Sequence, residues 1–245
     1  MKNFVRRCGH LLTLGIDTAT KVCAVALCRD GQPLAAYEIN MGMTHSEGLV
    51  PQLEQLFTRT GINKRDIELM SVSIGPGSFT GLRIGLATAE AIAYSLQIPL
   101  VGVDTLKALA YNIPVEGVLL APILDAQKGN YYLALYEWKQ GKLYEVESVK
   151  VVTGGELGDI LLAYMKPVVV LGEYAKITDS LPAGVTCAPK TVSMPKALSV
   201  AMLGMEEHLG KENKKYFGLE PFYIRRSEAE ELWEQRQKNL AKSDE

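Results

Sequence analysis

The chain has 245 residues, a formal net charge of −2, and 47% hydrophobic and 22% charged residues. That length suits one large domain or two lobes, and the composition sets aside disordered, fibrous and collagen-like classes. With no excess of Lys and Arg, autonomous binding of nucleic acid through a general basic field is not expected.

Residues 1–10 have a basic start and read as a disordered extension. The apolar run that follows stops at Asp17. It is too short for a secretory segment, and no run elsewhere reaches the length of a membrane span. A cytoplasmic protein without a membrane partner is expected. Cys8, Cys23, Cys28 and Cys187 show no CxxC spacing and read as reduced, small residues.

Residues 11–17, 22–28 and 33–39 read as three strands of an antiparallel meander, with Asp30-Gly31 as a hairpin turn. Thr44 and Glu47 form a capping box for a helix over 45–58, stopped by Gly61. A buried strand over 69–74 leads through Gly75-Pro76-Gly77-Ser78 into a helix over 81–96, with Ser78 and Thr80 as candidate caps. Strand 100–103 and a helix capped by Asp104 complete the first half. The second half echoes it, with strands at 118–124, 131–138, 143–152, 168–171 and 185–188, and helices at 155–164, 173–180 and 195–209. An extended segment at 220–226 and a charged helix over 228–238, capped by Ser227, end the chain.

These elements predict an α/β fold of two related lobes, each a mixed sheet flanked by helices, the second reduced. The expected divisions are an extension at 1–10, a first lobe at 11–112, a second at 113–215, and a terminal segment and helix at 216–245 that pack back on the first lobe.

The helix over 81–96 carries only Arg83 and Glu90 as charges, so it should be buried nearly all round. Gly81, Gly85, Ala89 and Ala93 recur every four residues and make a smooth face for close approach of another backbone. That face can lie against the chain's own sheet or against a partner protein. Arg83 sits in the first turn, where the macrodipole disfavours a cation, so a carboxylate or a ligand oxygen is expected beside it.

Two loops could bind an anion. Asp17-Thr18-Ala19-Thr20 follows the first strand, where backbone N–H groups and a hydroxyl can face phosphate. It resembles the Asp-x-Gly-Thr phosphate loop of the actin-like ATPase superfamily, with Ala19 in place of glycine; Asp125 ends the opening strand of the second half in the same way. Gly75, Gly77 and Ser78 open onto a helix N-terminus, which suits an anion or close packing equally. Asp17, Thr18, Gly75, Gly77, Ser78 and Arg83 are therefore the candidate nucleotide or anion residues. His45 lacks a partner for metal binding, because Leu49 stands four residues on.

The runs Leu14-Gly15-Ile16-Asp17-Thr18-Ala19-Thr20, Thr44-His45-Ser46-Glu47 and Gly75-Pro76-Gly77-Ser78-Phe79-Thr80-Gly81-Leu82-Arg83-Ile84-Gly85 together resemble the TsaB (YeaZ) family of tRNA threonylcarbamoyladenosine biosynthesis proteins. So do Val103-Asp104-Thr105-Leu106, Leu124-Asp125-Ala126-Gln127-Lys128 and Pro221-Phe222-Tyr223-Ile224-Arg225. The resemblance implies two actin-like (RNase H-like) lobes and a non-catalytic scaffold. Such a subunit pairs with the paralogue TsaD, which transfers threonylcarbamoyl to the adenosine beside the anticodon, and the pair recruits the ATPase TsaE. Alone, the chain would form a homodimer, and tRNA would be met only through the complex. No cofactor is expected on this chain by itself; ATP or ADP and a metal ion would belong to the partner subunits. Family pairing through the first two long helices implies an interface of His45, Leu49, Leu53, Leu56, Leu82, Gly85, Leu86, Ala89 and Ala93. The alternatives are a glycoprotease-like metallopeptidase and a small actin-like ATPase or kinase.

Overall fold

A computed structural model describes residues 11–40, 44–210 and 218–224. Strands β1 (Leu12–Asp17), β2 (Cys23–Arg29) and β3 (Gln32–Ile39) form the antiparallel meander, and Asp30 and Gly31 both take the positive φ of its hairpin turn. Helix α1 (His45–Thr60) starts at the Thr44–Glu47 capping box and stops at Gly61, whose N–H bonds the Phe57 carbonyl. Strand β4 (Leu69–Gly75) then runs parallel to β1, α2 (Phe79–Leu96) crosses back, and β5 (Leu100–Asp104) runs parallel to β4. The sheet order is β3-β2-β1-β4-β5. Both α1 and α2 cover one face, where Leu12, Leu14 and Ile16 of β1 meet Leu49, Leu56, Leu86 and Ala89.

After α3 (Thr105–Tyr111), the second half repeats the pattern with β6 (Leu119–Asp125), β7 (Asn130–Lys139), β8 (Lys142–Thr153), α4 (Gly154–Leu162), β9 (Val168–Gly172) and β10 (Val185–Cys187). Its order, β10-β9-β6-β7-β8, is the same arrangement of first to fifth strand, with the same parallel and antiparallel pairs. The second lobe is reduced: its α4 has 9 residues where α1 has 16. Where the first lobe has the 18-residue α2, the second has a 3-10 turn at Thr178–Ser180. The helix expected over 173–180 does not form. Glu173 and Lys176 both turn to the Asp125 strand end, Tyr174 bonds the Ala188 carbonyl, and Ile177 enters the core. These long-range contacts hold the segment in place of a regular helix.

The last helix of each half lies on the sheet of the other. Leu106, Leu109 and Ala110 of α3 pack with Leu120, Leu124 and Trp138 of the second sheet. Helix α5 (Ala197–Gly210) packs on the first, with Val200 and Leu203 against Val103, and Ala197 against Val22, Ala24 and Ala26. Gly15 and Gly204 permit this approach: a Cβ at either would overlap the Ala197 carbonyl or the Ser71 side chain. Helix α3 thus packs between the two sheets, its Leu106, Leu109 and Ala110 on the second and its Ala108 against Val103 of the first, while α5 lies on the first. Asn112 fixes the exchange. Its Nδ2 donates to the carbonyls of Val192 (3.0 Å) and Met194 (2.9 Å), and its Oδ1 accepts from Ser199 Oγ (2.7 Å). Asn112→Ala leaves these groups unpaired and is expected to cost about 2–3 kcal/mol. Urea denaturation measures this, and a loss below about 0.5 kcal/mol would show that the three bonds contribute little.

Residues 218–224 form a clasp over the first lobe. Gly218 N–H donates to Glu90 Oε1 (2.9 Å), Leu219 packs in the first core, and Phe222 N–H donates to the Ile74 carbonyl (2.7 Å). Ile224 packs against the second core. The expected extension at 1–10 and the helix over 228–238 lie outside the described residues. Cys23 and Cys28 are buried free thiols, and Cys187 is a half-buried one. Among the described residues, no helix is long and apolar enough to cross a membrane.

Candidate functional site

Strand β1 ends at Asp17, which is 0% exposed. Its Oδ1 accepts the Ala19 N–H (2.9 Å), while Oδ2 is buried with no hydrogen-bond partner. Burial raises its pKa to about 6, and the Ala19 hydrogen bond offsets part of that rise. Asp125, its counterpart on β6, differs. Burial also raises this carboxyl, but the hydrogen bond and charge of Lys176 (2.6 Å) outweigh it and hold the group below the usual range.

The loop after Asp17 is closed by contacts within the chain. Thr18 Oγ1 donates to the Gly81 carbonyl (2.7 Å), Ser78 N–H donates to the Ala19 carbonyl (2.7 Å), and His45 Nε2 bonds the Thr20 carbonyl (2.7 Å). A Cβ on Gly77 would overlap the Ala19 carbonyl, and one on Gly81 or Gly85 would overlap Thr18. The glycines at 77 and 81 thus serve close packing of α2 on the β1 loop. Two of the N–H groups that could face phosphate are engaged as well: Ala19 N–H by Asp17, and Val22 N–H by Thr20 Oγ1. Ser78 caps α2 by accepting from Gly81 N–H (3.2 Å).

The smooth face of α2 is therefore turned inward. Leu82, Gly85, Leu86, Ala89 and Ala93 are all buried within this chain, as are Leu49 (1% exposed), Leu53 and Leu56 of α1. These residues, which the resemblance implies as an interface, are buried within the first lobe of this chain. The hydrophobic positions of both helices pack against the chain's own sheet. His45, half-buried, is a strut between α1 and the β1 loop. What α1 and α2 leave outside is a different set. Thr80, Ala87 and Ala91 of α2 are exposed, with Ile84 and Thr88 half-buried beside them; Glu47, Val50 (54%), Pro51 and Glu54 are exposed on α1.

Among the described residues, Arg83 has no carboxylate partner. Its guanidinium lies 3.9 Å above the Phe79 ring centroid, and its Nε donates to Tyr223 Oη (2.9 Å). Tyr223 in turn stacks on Phe79 with centroids 4.6 Å apart. Here the aromatic faces supply the negative potential that the helix start lacks.

A cleft of about 220 Å³ lies between the lobes, lined by Thr20, Lys21 and Asn40 on one side and Leu124, Glu173, Tyr174, Lys190 and Met194 on the other. None of the nominated loop residues lines it; only their neighbour Thr20 does. No local pattern marks this cleft, since its walls come from segments far apart in the chain. Among the described residues, no three His, Cys, Asp or Glu side chains gather as a metal site.

The model of the family "TsaD: tRNA N6-adenosine threonylcarbamoyltransferase" matches residues 41–160, which include α1 and α2. The chain is 33% identical over 230 residues to the tRNA threonylcarbamoyladenosine biosynthesis protein TsaB of Bacillus subtilis (strain 168), spanning 92% of this chain and 99% of that one. The chain belongs to the TsaB family. A second relative, TsaB of Haemophilus influenzae, is 24% identical over 88% of this chain and 94% of its own. In structure, YeaZ from Pseudomonas aeruginosa superposes with a TM-score of 0.72 at 23% identity, covering 87% of this chain and 99% of that chain. That likeness extends the two-lobe fold to a solved structure.

Proposed function

We propose that the chain is a non-catalytic subunit in tRNA threonylcarbamoyladenosine biosynthesis. It pairs with a TsaD-like paralogue through the outward surfaces of α1 and α2, and the pair then recruits a TsaE-like ATPase. Membership of the TsaB family supports the pathway, and the TsaD-type match over residues 41–160 supports a paralogue as the partner. The single observation that carries the pairing is the outward strip of α2. Thr80, Ile84, Ala87, Thr88 and Ala91 present small or apolar groups to the surface, with Arg83 as the exposed charge among them, which suits close helix packing between subunits. In this reading nucleotide and metal belong to the partner subunits, tRNA is met through the assembly, and the chain alone self-pairs through the same strip.

Light scattering on a sizing column tests this with the chain alone and mixed with the TsaD-like protein of the same organism. A homodimer that converts to a one-to-one heterodimer is the expected result. Ala87→Glu puts a charge into the strip and is expected to weaken either pairing at least tenfold while leaving the melting temperature nearly unchanged. A monomer indifferent to the TsaD-like protein would overturn the proposal.

A further inference from the structure

Arg83 is held in a way that its place in the fold does not require. It stands in the first turn of α2, where the macrodipole opposes a cation. It is exposed, and among the described residues no carboxylate lies within ion-pair distance of it. Yet its guanidinium is fixed on the Phe79 ring and its Nε is bonded to Tyr223. Tyr223 itself is positioned by the clasp, through the Phe222 bond to Ile74. Phe79 and Tyr223 thus hold the inner edge of the guanidinium, and no hydrogen bond of the described residues engages either Nη. An arginine pre-ordered by stacking loses less entropy when it later forms a forked pair. Its place in the helix is between Thr80 and Ala87 and next to Ile84, within the exposed strip of small and apolar residues.

We infer that Arg83 is the charged anchor of the α2 face and receives a carboxylate side chain of the docking subunit on its free Nη edge. This rests on the pairing reading above and adds to it the chemistry of one contact. A single cation fits a single carboxylate inside a protein interface. A nucleic-acid backbone would need several cations in line, whereas Arg83 is the sole Lys or Arg of α2 and the outward face of α1 carries Glu47 and Glu54. Arginines of this kind, central and stacked, are the residue type on which interface energy concentrates. Tyr223 and Phe79 act through Arg83, as positioning residues.

The test is titration of the full chain with the TsaD-like subunit of the same organism by calorimetry, at low and moderate salt. Arg83→Ala is expected to weaken association at least tenfold and to flatten its salt dependence. Arg83→Lys should recover only part of the affinity, because an ammonium lacks the fork. Tyr223→Phe, which keeps every charge and removes only the hydroxyl that holds Nε, should weaken association about threefold. Melting curves of all three should stay close to that of the parent chain. If Arg83→Ala binds as the parent does while Ala87→Glu does not, the anchor is wrong and the pairing face stands. If Arg83→Ala instead loses tRNA binding at unchanged subunit affinity, the anchor belongs to a phosphate and the inference falls. If the parent chain does not associate at all, both readings fail together.

Discussion

Gly81→Ala is expected to destabilise the chain by about 3–4 kcal/mol. The new methyl would fall on the carbonyl oxygen of Thr18, a backbone atom that cannot rotate away, with His45 Cδ2 at 3.1 Å on the other side. His45 is itself tied to the Thr20 carbonyl, and α2 cannot lift off, because Ala89 and Ala93 are in the same contact with the sheet. Gly85→Ala meets a different obstacle, the Thr18 hydroxyl, which belongs to a side chain. The two substitutions should therefore respond differently to Thr18→Ala. With the hydroxyl gone, the nearest atoms to a Cβ at 85 are at ordinary contact distance, 3.5 and 3.7 Å. Gly85→Ala should then cost about 1–2 kcal/mol less in the Thr18→Ala background than in the parent chain. Gly81→Ala keeps its clash with the Thr18 carbonyl oxygen in both backgrounds. Urea midpoints of the three single variants, the two double variants and the parent provide the comparison. Strict additivity at 85 would mean that the helix moves as a body and that the inward face is less tightly set than its geometry indicates.

The second large effect concerns Asp17 and depends on pH. Its carboxyl is fully buried and its pKa is raised from 3.8 to about 6, by burial, with the Ala19 hydrogen bond offsetting only part. The folded state thus binds this proton more tightly than the unfolded chain does. The contribution of Asp17 to stability is fully present below about pH 4 and is lost as pH rises through about 6, because the charge must then be buried. A rise of about two pH units corresponds to roughly 3 kcal/mol between the two limits. Asp17→Asn keeps the Oδ1 acceptor for Ala19 and carries no charge. It should therefore be more stable than the parent by about 2–3 kcal/mol at pH 8, and the gain should vanish near pH 4. Thermal melts of both proteins at pH 4, 6 and 8 decide it. A gain that grows on acidification would have the wrong sign and would show that Asp17 is held as a carboxylate by a partner.

Much of the architecture is legible in local pattern. The capping box at Thr44, the stop at Gly61 and the turn at Asp30-Gly31 set their elements because the groups that bond are within four residues of each other. The repeat of strand, Asp, hairpin and helix foretold two lobes of one topology, and the observed strand orders are the same. The smooth side of α2 is also written in the chain, as glycine and alanine every four residues. Its direction is not. Periodicity shows that a helix has a close-packing face, yet the same face would serve a sheet or a second protein. The inward answer came from Thr18, 63 residues away, which bonds Gly81.

By itself, then, the order of residues determined the elements, the two-lobe α/β class and the family, because capping, turn chemistry and hydrophobic period act over a few residues. Only the tertiary structure decided which side of α1 and α2 stays exposed, that α3 reaches the second sheet and α5 the first, and that the 173–180 region turns instead of coiling. It also decided that Arg83 rests on Phe79 and on Tyr223, the latter 140 residues further along the chain. Each of these depends on atoms that come together only when distant segments fold onto one another. Local pattern records that a group needs a neighbour, and long-range packing selects which neighbour it gets.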